Sequence, residues 1–169
     1  LLTEEELVIA NVPRIRDTEA QIALLADLGV ETEWVEDNTI RLCAKNVRDT
    51  TLDEDLSAAI RASFLMAGPL LARFGEVHMP PPGGDFIGRR RLDAHLDAFR
   101  GLGARIGGQR MIVLNAPPGG LRAAEIFMDE PSVMGTENAL MAAALIPGEN
   151  SILNAASESH VQDLANLLV

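Results

Sequence analysis

The chain has 169 residues, 47% of them hydrophobic, which is enough to bury one good core and excludes a disordered polymer. Acidic residues outnumber basic ones 25 to 14, and the net charge of -11 argues against tight binding to nucleic acid or an anionic membrane as the main task. A single cysteine, Cys43, excludes an internal disulfide or a cysteine-based metal site, and His78, His95 and His160 show no ligand spacing, so no metal or other cofactor is expected.

In chain order, the apolar spacing of Ile22, Leu25, Ala26 and Leu28 predicts a helix that closes on Gly29 as its C-terminal cap. Alternation at Val30, Thr32 and Trp34, a turn at Glu36-Asp37-Asn38, and Ile40, Leu42 and Ala44 predict a hairpin with one buried face, with Cys43 as a buried structural thiol. Residues Ser57 to Arg73 are apolar nearly all round and predict a buried helix, closing on Gly75 and running into a strand at Glu76–Met79. Arg61 stands out on that helix, because a guanidinium among apolar neighbours must reach a carboxylate, a pocket or the solvent.

The run Pro80-Pro81-Pro82-Gly83-Gly84-Asp85-Phe86-Ile87-Gly88-Arg89-Arg90-Arg91 follows, a glycine-rich loop carrying one carboxylate and three adjacent guanidiniums. Such a set suits a phosphorylated anion coupled to proton transfer, and it suits a turn with a solvated basic patch as well. A helix over Ala94–Leu102 closes on Gly103, another over Val133–Ile146 closes near Gly148, and a strand follows at Ser151–Leu153. Ser132 and Thr136 sit at the start of the second of these helices, where open backbone amides favour phosphate and where ordinary capping accounts for the same residues. The final residues, from Val161, begin another helix of the first type.

The chain therefore repeats itself. Gly29 and Gly103 end similar helices 74 positions apart, and Gly75 and Gly148 end a second helix type 73 positions apart. Units of this length that mix helix and strand predict an α/β fold with helices inside and sheets outside, stacked on a shared core. The longest apolar segment, Ala58 to Ala72, is interrupted by Arg61 and too short to cross a bilayer, and no signal-peptide pattern opens the chain; the cytoplasm is the expected compartment.

The motifs together closely resemble the bacterial UDP-N-acetylglucosamine 1-carboxyvinyltransferases, the enolpyruvyl transferases that begin peptidoglycan synthesis and so serve cell-wall growth. Matching stretches are Asn11-Val12-Pro13, Ile60-Arg61-Ala62-Ser63-Phe64, Gly68 to Gly75, the Gly83-Gly84 loop with Arg90 and Asp93-Ala94-His95, Pro131-Ser132-Val133, and Asp163-Leu164-Ala165-Asn166. The resemblance implies two similar domains, each an inside-out α/β barrel of three repeated units, with the active site between them. Residues 1–169 would then be most of one domain, inactive alone, with the N-terminal segment and the second domain, its partner, lying outside the chain.

It further implies transfer of the enolpyruvyl group of phosphoenolpyruvate to the 3'-hydroxyl of UDP-N-acetylglucosamine. On that footing Arg90 clamps the phosphate of phosphoenolpyruvate, and Arg61, Arg90, Arg91, Leu92, Asp93 and Ala94 line the nucleotide-sugar site. Glu130, Pro131, Ser132 and Val133 meet the UDP portion, and Asp85 takes the proton-donor position that many members fill with cysteine. An aspartate there implies resistance to fosfomycin, an epoxide that alkylates a thiolate. Arg91 stands where the family usually has proline and Met134 where it has a small glycine. The shikimate-pathway enolpyruvyl transferase and a non-catalytic nucleotide-sugar-binding or structural domain are the competing assignments; RNA 3'-phosphate cyclase, which has a related repeat, is opposed by the acidic balance.

Overall fold

The structure, a computed structural model, describes residues 1–84 and 91–169. The first unit consists of β1 (Glu6–Ile9), α1 (Arg16–Asp27), β2 (Glu31–Glu36), β3 (Thr39–Cys43), α2 (Glu54–Ala59), a 3-10 segment (Arg61–Met66) and α3 (Ala67–Phe74). The second consists of β4 (Glu76–Met79), α4 (Asp93–Gly101), β5 (Arg105–Gly107), β6 (Ile112–Asn115), β7 (Glu125–Phe127) and α5 (Val133–Ala143). A third begins with β8 (Ser151–Leu153) and α6 (Ser159–Leu167).

The repeat seen in the sequence is a repeat of hydrogen bonds. Gly29 N–H donates to Ala26 O and Val30 N–H to Leu25 O, and 74 residues later Gly103 N–H donates to Arg100 O and Ala104 N–H to Phe99 O. Both are Schellman closures, and both glycines take the left-handed backbone that the motif requires, with φ of 97° and 94°. The strands repeat in the same way: β1-β3-β2 and β4-β6-β5 are both antiparallel and in the same order. Units join through parallel pairing, by β7 with β8 and, one unit earlier, by an isolated bridge between Thr51 and His78.

Helices lie inside and sheets outside, as expected. Helix α3 buries Ala67, Gly68, Pro69, Leu70 and Leu71, and α5 buries Gly135, Thr136, Asn138, Ala139 and Ala142, whereas every residue of β1 is exposed. The contact between α3 and α5 is close because it is made through glycine: a Cβ on Gly68 would meet the Asn138 carbonyl oxygen at 2.6 Å. Phe64, Phe99, Leu24, Leu70, Leu102 and Leu114 are wholly enclosed around this pair, each side chain contributing about 1.5–3 kcal/mol through burial.

Three local expectations need correction. The single helix expected over Ser57–Arg73 is broken, because α2 stops at Ala59, Ile60 is extended (φ -143°, ψ 147°) and buried, and a 3-10 segment precedes α3. Pro69 explains part of this, since it has no N–H to continue a helix running through Leu65 and is tolerated only in the first turn of a new one. The break leaves the Ser57 and Ala58 carbonyls free to accept from Gly83 N–H (3.1 Å) and Gly84 N–H (3.3 Å), which seats the proline-glycine loop on α2. Helix α5 ends at Ala143 and not near Ile146, four residues before Pro147, whose ring disfavours helical backbone at Ile146. Cys43 is only partly buried, its thiol lying 3.5 Å from the Glu4 carbonyl oxygen.

Candidate functional site

The break at Ile60 also decides where Arg61 goes. As the first residue of the 3-10 segment, it leaves the apolar helix surface and its Nη2 donates to the Arg91 carbonyl oxygen at 3.1 Å, tying the end of α2 to the entry of α4. Across from it, Ser132 caps α5: its Oγ accepts from Gly135 N–H at 3.2 Å, and its backbone stays extended. The first-turn amides of a helix capped in this way have no partner within the helix and carry the positive end of its dipole.

Between these elements lies a cleft of about 310 Å³ lined by Arg61, Arg91, His95, Glu130, Ser132, Val133 and Met134. A second depression of about 150 Å³ shares Arg91 and Glu130 with it and adds Asp93, Ala94, Asp97 and Asp129. A third, of about 510 Å³, shares Arg61 and Met134 and extends along Ala58–Ala62 to Gly84, Arg16 and Asp17. Segments at residues 16–17, 58–62, 84, 91–95 and 130–134 thus meet around Arg61.

Of the residues expected at a site, Arg61, Arg91, Glu130, Ser132 and Val133 share the first cleft, and Asp93 and Ala94 line the adjoining one. Leu92 precedes α4 and packs partly against the core, and Pro131 is exposed and lines none of the three cavities. Asp85 and Arg90 lie outside the described residues. Thr136 is a structural residue: it is buried, its Oγ1 donates to Ser132 O at 2.8 Å and accepts from Ala156 N–H at 3.0 Å.

Arg91 Nε lies 2.7 Å from Asp93 Oδ2, and this contact holds the guanidinium above and the carboxyl below their ordinary values. Both groups are exposed at the rim, so the pair sets orientation more than stability. Glu130 adds a negative charge to the same wall; Arg61 and the α5 amides supply the attraction for an anion. His95 is 3% exposed, and its pKa falls to about 4, chiefly because burial disfavours the charged ring and secondly because Arg61 repels it. Met134, which the resemblance placed near the UDP phosphates, lines the cleft, and one further lining residue, His95, was not among the expected site residues. The amphipathic spacing of α4 gave His95 no mark apart from its core neighbours, and only its approach to α5 shows the connection. Among the described residues no cluster of three or more His, Cys, Asp or Glu side chains could hold a metal ion, and no helix is long and apolar enough to cross a membrane.

Known proteins share this architecture and much of this sequence. A protein of Bradyrhizobium diazoefficiens named UDP-N-acetylglucosamine 1-carboxyvinyltransferase is 53% identical over 169 residues, covering 100% of this chain and 39% of that protein. A protein of the same name from Treponema denticola is 46% identical over 168 residues, covering 99% of this chain and again 39% of its own length. The chain therefore spans about two fifths of the curated relatives it matches. Among solved structures, the enolpyruvyl transferase NikO from Streptomyces tendae superposes with a TM-score of 0.81 at 19% identity, covering 99% of this chain and 39% of that one. An EPSP synthase from Acinetobacter baumannii gives 0.70 at 16% identity, covering 95% of this chain and 38% of its own, so the likeness there is of fold. Residues 1–169 match the family described as EPSP synthase (3-phosphoshikimate 1-carboxyvinyltransferase), and the chain belongs to that family.

Proposed function

We propose that this chain is most of one domain of a UDP-N-acetylglucosamine enolpyruvyl transferase, acting in the cytoplasm at the start of peptidoglycan synthesis, and that its cleft holds the nucleotide sugar. The observation that carries the proposal is the convergence of Arg61, Arg91, Glu130 and the Ser132–Val133 helix start on one cleft. It occurs in a chain 53% identical along its whole length to a protein named for that activity.

The chemistry assigns roles to residues of this chain. The sugar hydroxyl adds through its oxygen to C2 of phosphoenolpyruvate while C3 takes a proton, giving a tetrahedral intermediate; loss of a C3 proton and cleavage of the C2–O bond to phosphate then yield the enolpyruvyl ether and inorganic phosphate. Asp85 is assigned the C3 proton transfer from its sequence position, a role a carboxyl can fill when burial raises its pKa. Arg90 is assigned the phosphate of phosphoenolpyruvate from its sequence position. Arg61, Arg91 and the α5 amides suit the diphosphate of the nucleotide, with bidentate or charge-assisted hydrogen bonds to its oxygens. Asp93 and Ala94, beside Glu130 in the neighbouring depression, suit the uridine end, and Leu92 and Pro131 would contribute backbone groups.

The test is turnover by the full-length gene product. Phosphate release from phosphoenolpyruvate in the presence of UDP-N-acetylglucosamine, and none with shikimate 3-phosphate, is the expected result. The reverse preference would assign the chain to the shikimate-pathway reaction named in its family description. UDP-N-acetylglucosamine binding without turnover would leave a non-catalytic domain. The 169 residues alone are expected to be inactive.

A further inference from the structure

Met134 stands in the first turn of α5, just after the Ser132 cap. It lines both the cleft of about 310 Å³ and the cavity of about 510 Å³, and among the described residues only Arg61 is shared by the two in the same way. The chain has six methionines. Met66, Met79 and Met128 are 4%, 0% and 1% exposed, so their sulfurs are shielded from a dissolved oxidant until the core opens. Met111 and Met141 are partly exposed, but neither lines any of the three cavities of the site. Met134 alone of the six is partly exposed and set in the wall of the cleft.

A thioether reacts with a peroxide as a nucleophile. The sulfur takes one oxygen atom, the O–O bond breaks and water leaves, so the sulfur is oxidised by two electrons and the peroxide is reduced by two. The product is a polar sulfoxide whose oxygen accepts hydrogen bonds, where the thioether was only a weak acceptor. At Met134 that oxygen enters a wall whose donors are the Arg61 guanidinium and the first-turn amides of α5, the groups assigned above to the nucleotide diphosphate. It competes with the diphosphate for them and enlarges the side chain where the two cavities meet. We propose that Met134 is a modification site of this protein, converted by peroxide to the sulfoxide, and that the conversion lowers the affinity of the cleft for its nucleotide until a sulfoxide reductase reverses it. The proposal rests on the nucleotide-sugar assignment and adds to it a chemical means of turning binding down.

The test uses the full-length gene product, treated with dilute hydrogen peroxide and titrated with UDP and UDP-N-acetylglucosamine by calorimetry, with the added oxygen placed by tandem mass spectrometry. Met134 is expected to gain one oxygen before Met66, Met79 and Met128 do, and affinity for both ligands to fall about tenfold as it does so, the effect of weakening one hydrogen bond to a charged oxygen. Methionine sulfoxide reductases A and B should restore mass and affinity together. Dithiothreitol, which reduces a sulfenic acid at Cys43 but not a sulfoxide, should restore neither. Met134→Leu and Met134→Gly are each compared with their own untreated protein, and neither should lose further affinity on treatment. Met134 left unmodified while the buried methionines react, equal losses in the wild type and both variants, or recovery with dithiothreitol alone overturns the proposal. An untreated wild type that binds neither ligand overturns the nucleotide assignment and this proposal with it; binding that survives full conversion at Met134 overturns only the role of Met134.

Discussion

Replacing Gly68 by alanine tests the close crossing of α3 and α5 on which the cleft floor depends. The new methyl would stand 2.6 Å from the Asn138 carbonyl oxygen and 2.8 Å from its Oδ1, against an ordinary limit near 3.4 Å, and the nearer atom is backbone. Separation of the helices by several tenths of an ångström follows, and it loosens the 2.9 Å bond from Gly68 N–H to Asn138 Oδ1 in a place where water cannot replace it. Overpacking of this kind costs about 1–3 kcal/mol, and weakening a buried hydrogen bond adds about 1 kcal/mol, while alanine returns up to about 1 kcal/mol through its better helix propensity. The net loss is about 2 kcal/mol, or roughly 4–8 °C in Tm for a domain of this size. Gly107→Ala supplies the control, since a Cβ there meets nothing within 4 Å, and its effect should stay within about 0.5 kcal/mol. Urea unfolding of the two variants in the full-length protein measures the difference. Equal stabilities would show that the α3–α5 contact gives way easily and that the clash carries no weight.

Stability should also depend on pH through His95. Its pKa falls from 6.5 when unfolded to about 4 when folded, so between those values the unfolded chain binds more protons; the stabilisation is complete above 6.5 and is lost as pH drops toward 4. The shift corresponds to roughly 3 kcal/mol, and His95→Phe should flatten that part of a stability-versus-pH curve. Ser132→Ala removes the N-cap of α5 and should lower stability by about 1 kcal/mol by urea denaturation, with Ser132→Asp restoring most of it. Incubation with fosfomycin should leave the wild type unmodified by intact mass, and Asp85→Cys should acquire a stoichiometric adduct; a covalent adduct on Asp85 itself would refute the carboxylate argument.

Much of the fold was legible because its signals are local. Leu-Gly at 28–29 and 102–103 encodes the same Schellman closure twice, and the alternation from Val30 to Ala44 encodes the hairpin, so repeat length and element order follow from residues a few positions apart. Pro69 and Pro147 also carried local information: each marks a place where a continuous helix is disallowed, and composition alone, apolar throughout, concealed it. The half-burial of Cys43 was illegible, since it depends on how much of β3 the strand β1 covers.

For the site, side-chain chemistry nominated Arg61, the Arg89–Arg91 run and the Ser132 helix start as candidates, but an ion pair, a solvated basic patch and ordinary capping accounted for the same residues, and the family resemblance gave them their roles. What these groups face was decided in three dimensions. Ile60 takes an extended backbone because its side chain is enclosed in the core, and that one break turns Arg61 from a misplaced charge on a helix into the hinge of two cavities. Asn138 reaches Gly68, Phe64 and His95 across gaps of 70, 74 and 43 residues, and no short-range pattern encodes contacts of that span. Periodicity and turn chemistry act within a few residues and so are written along the chain; the partners of a buried asparagine and the company of an arginine depend on packing, which exists only once the helices have closed on one another.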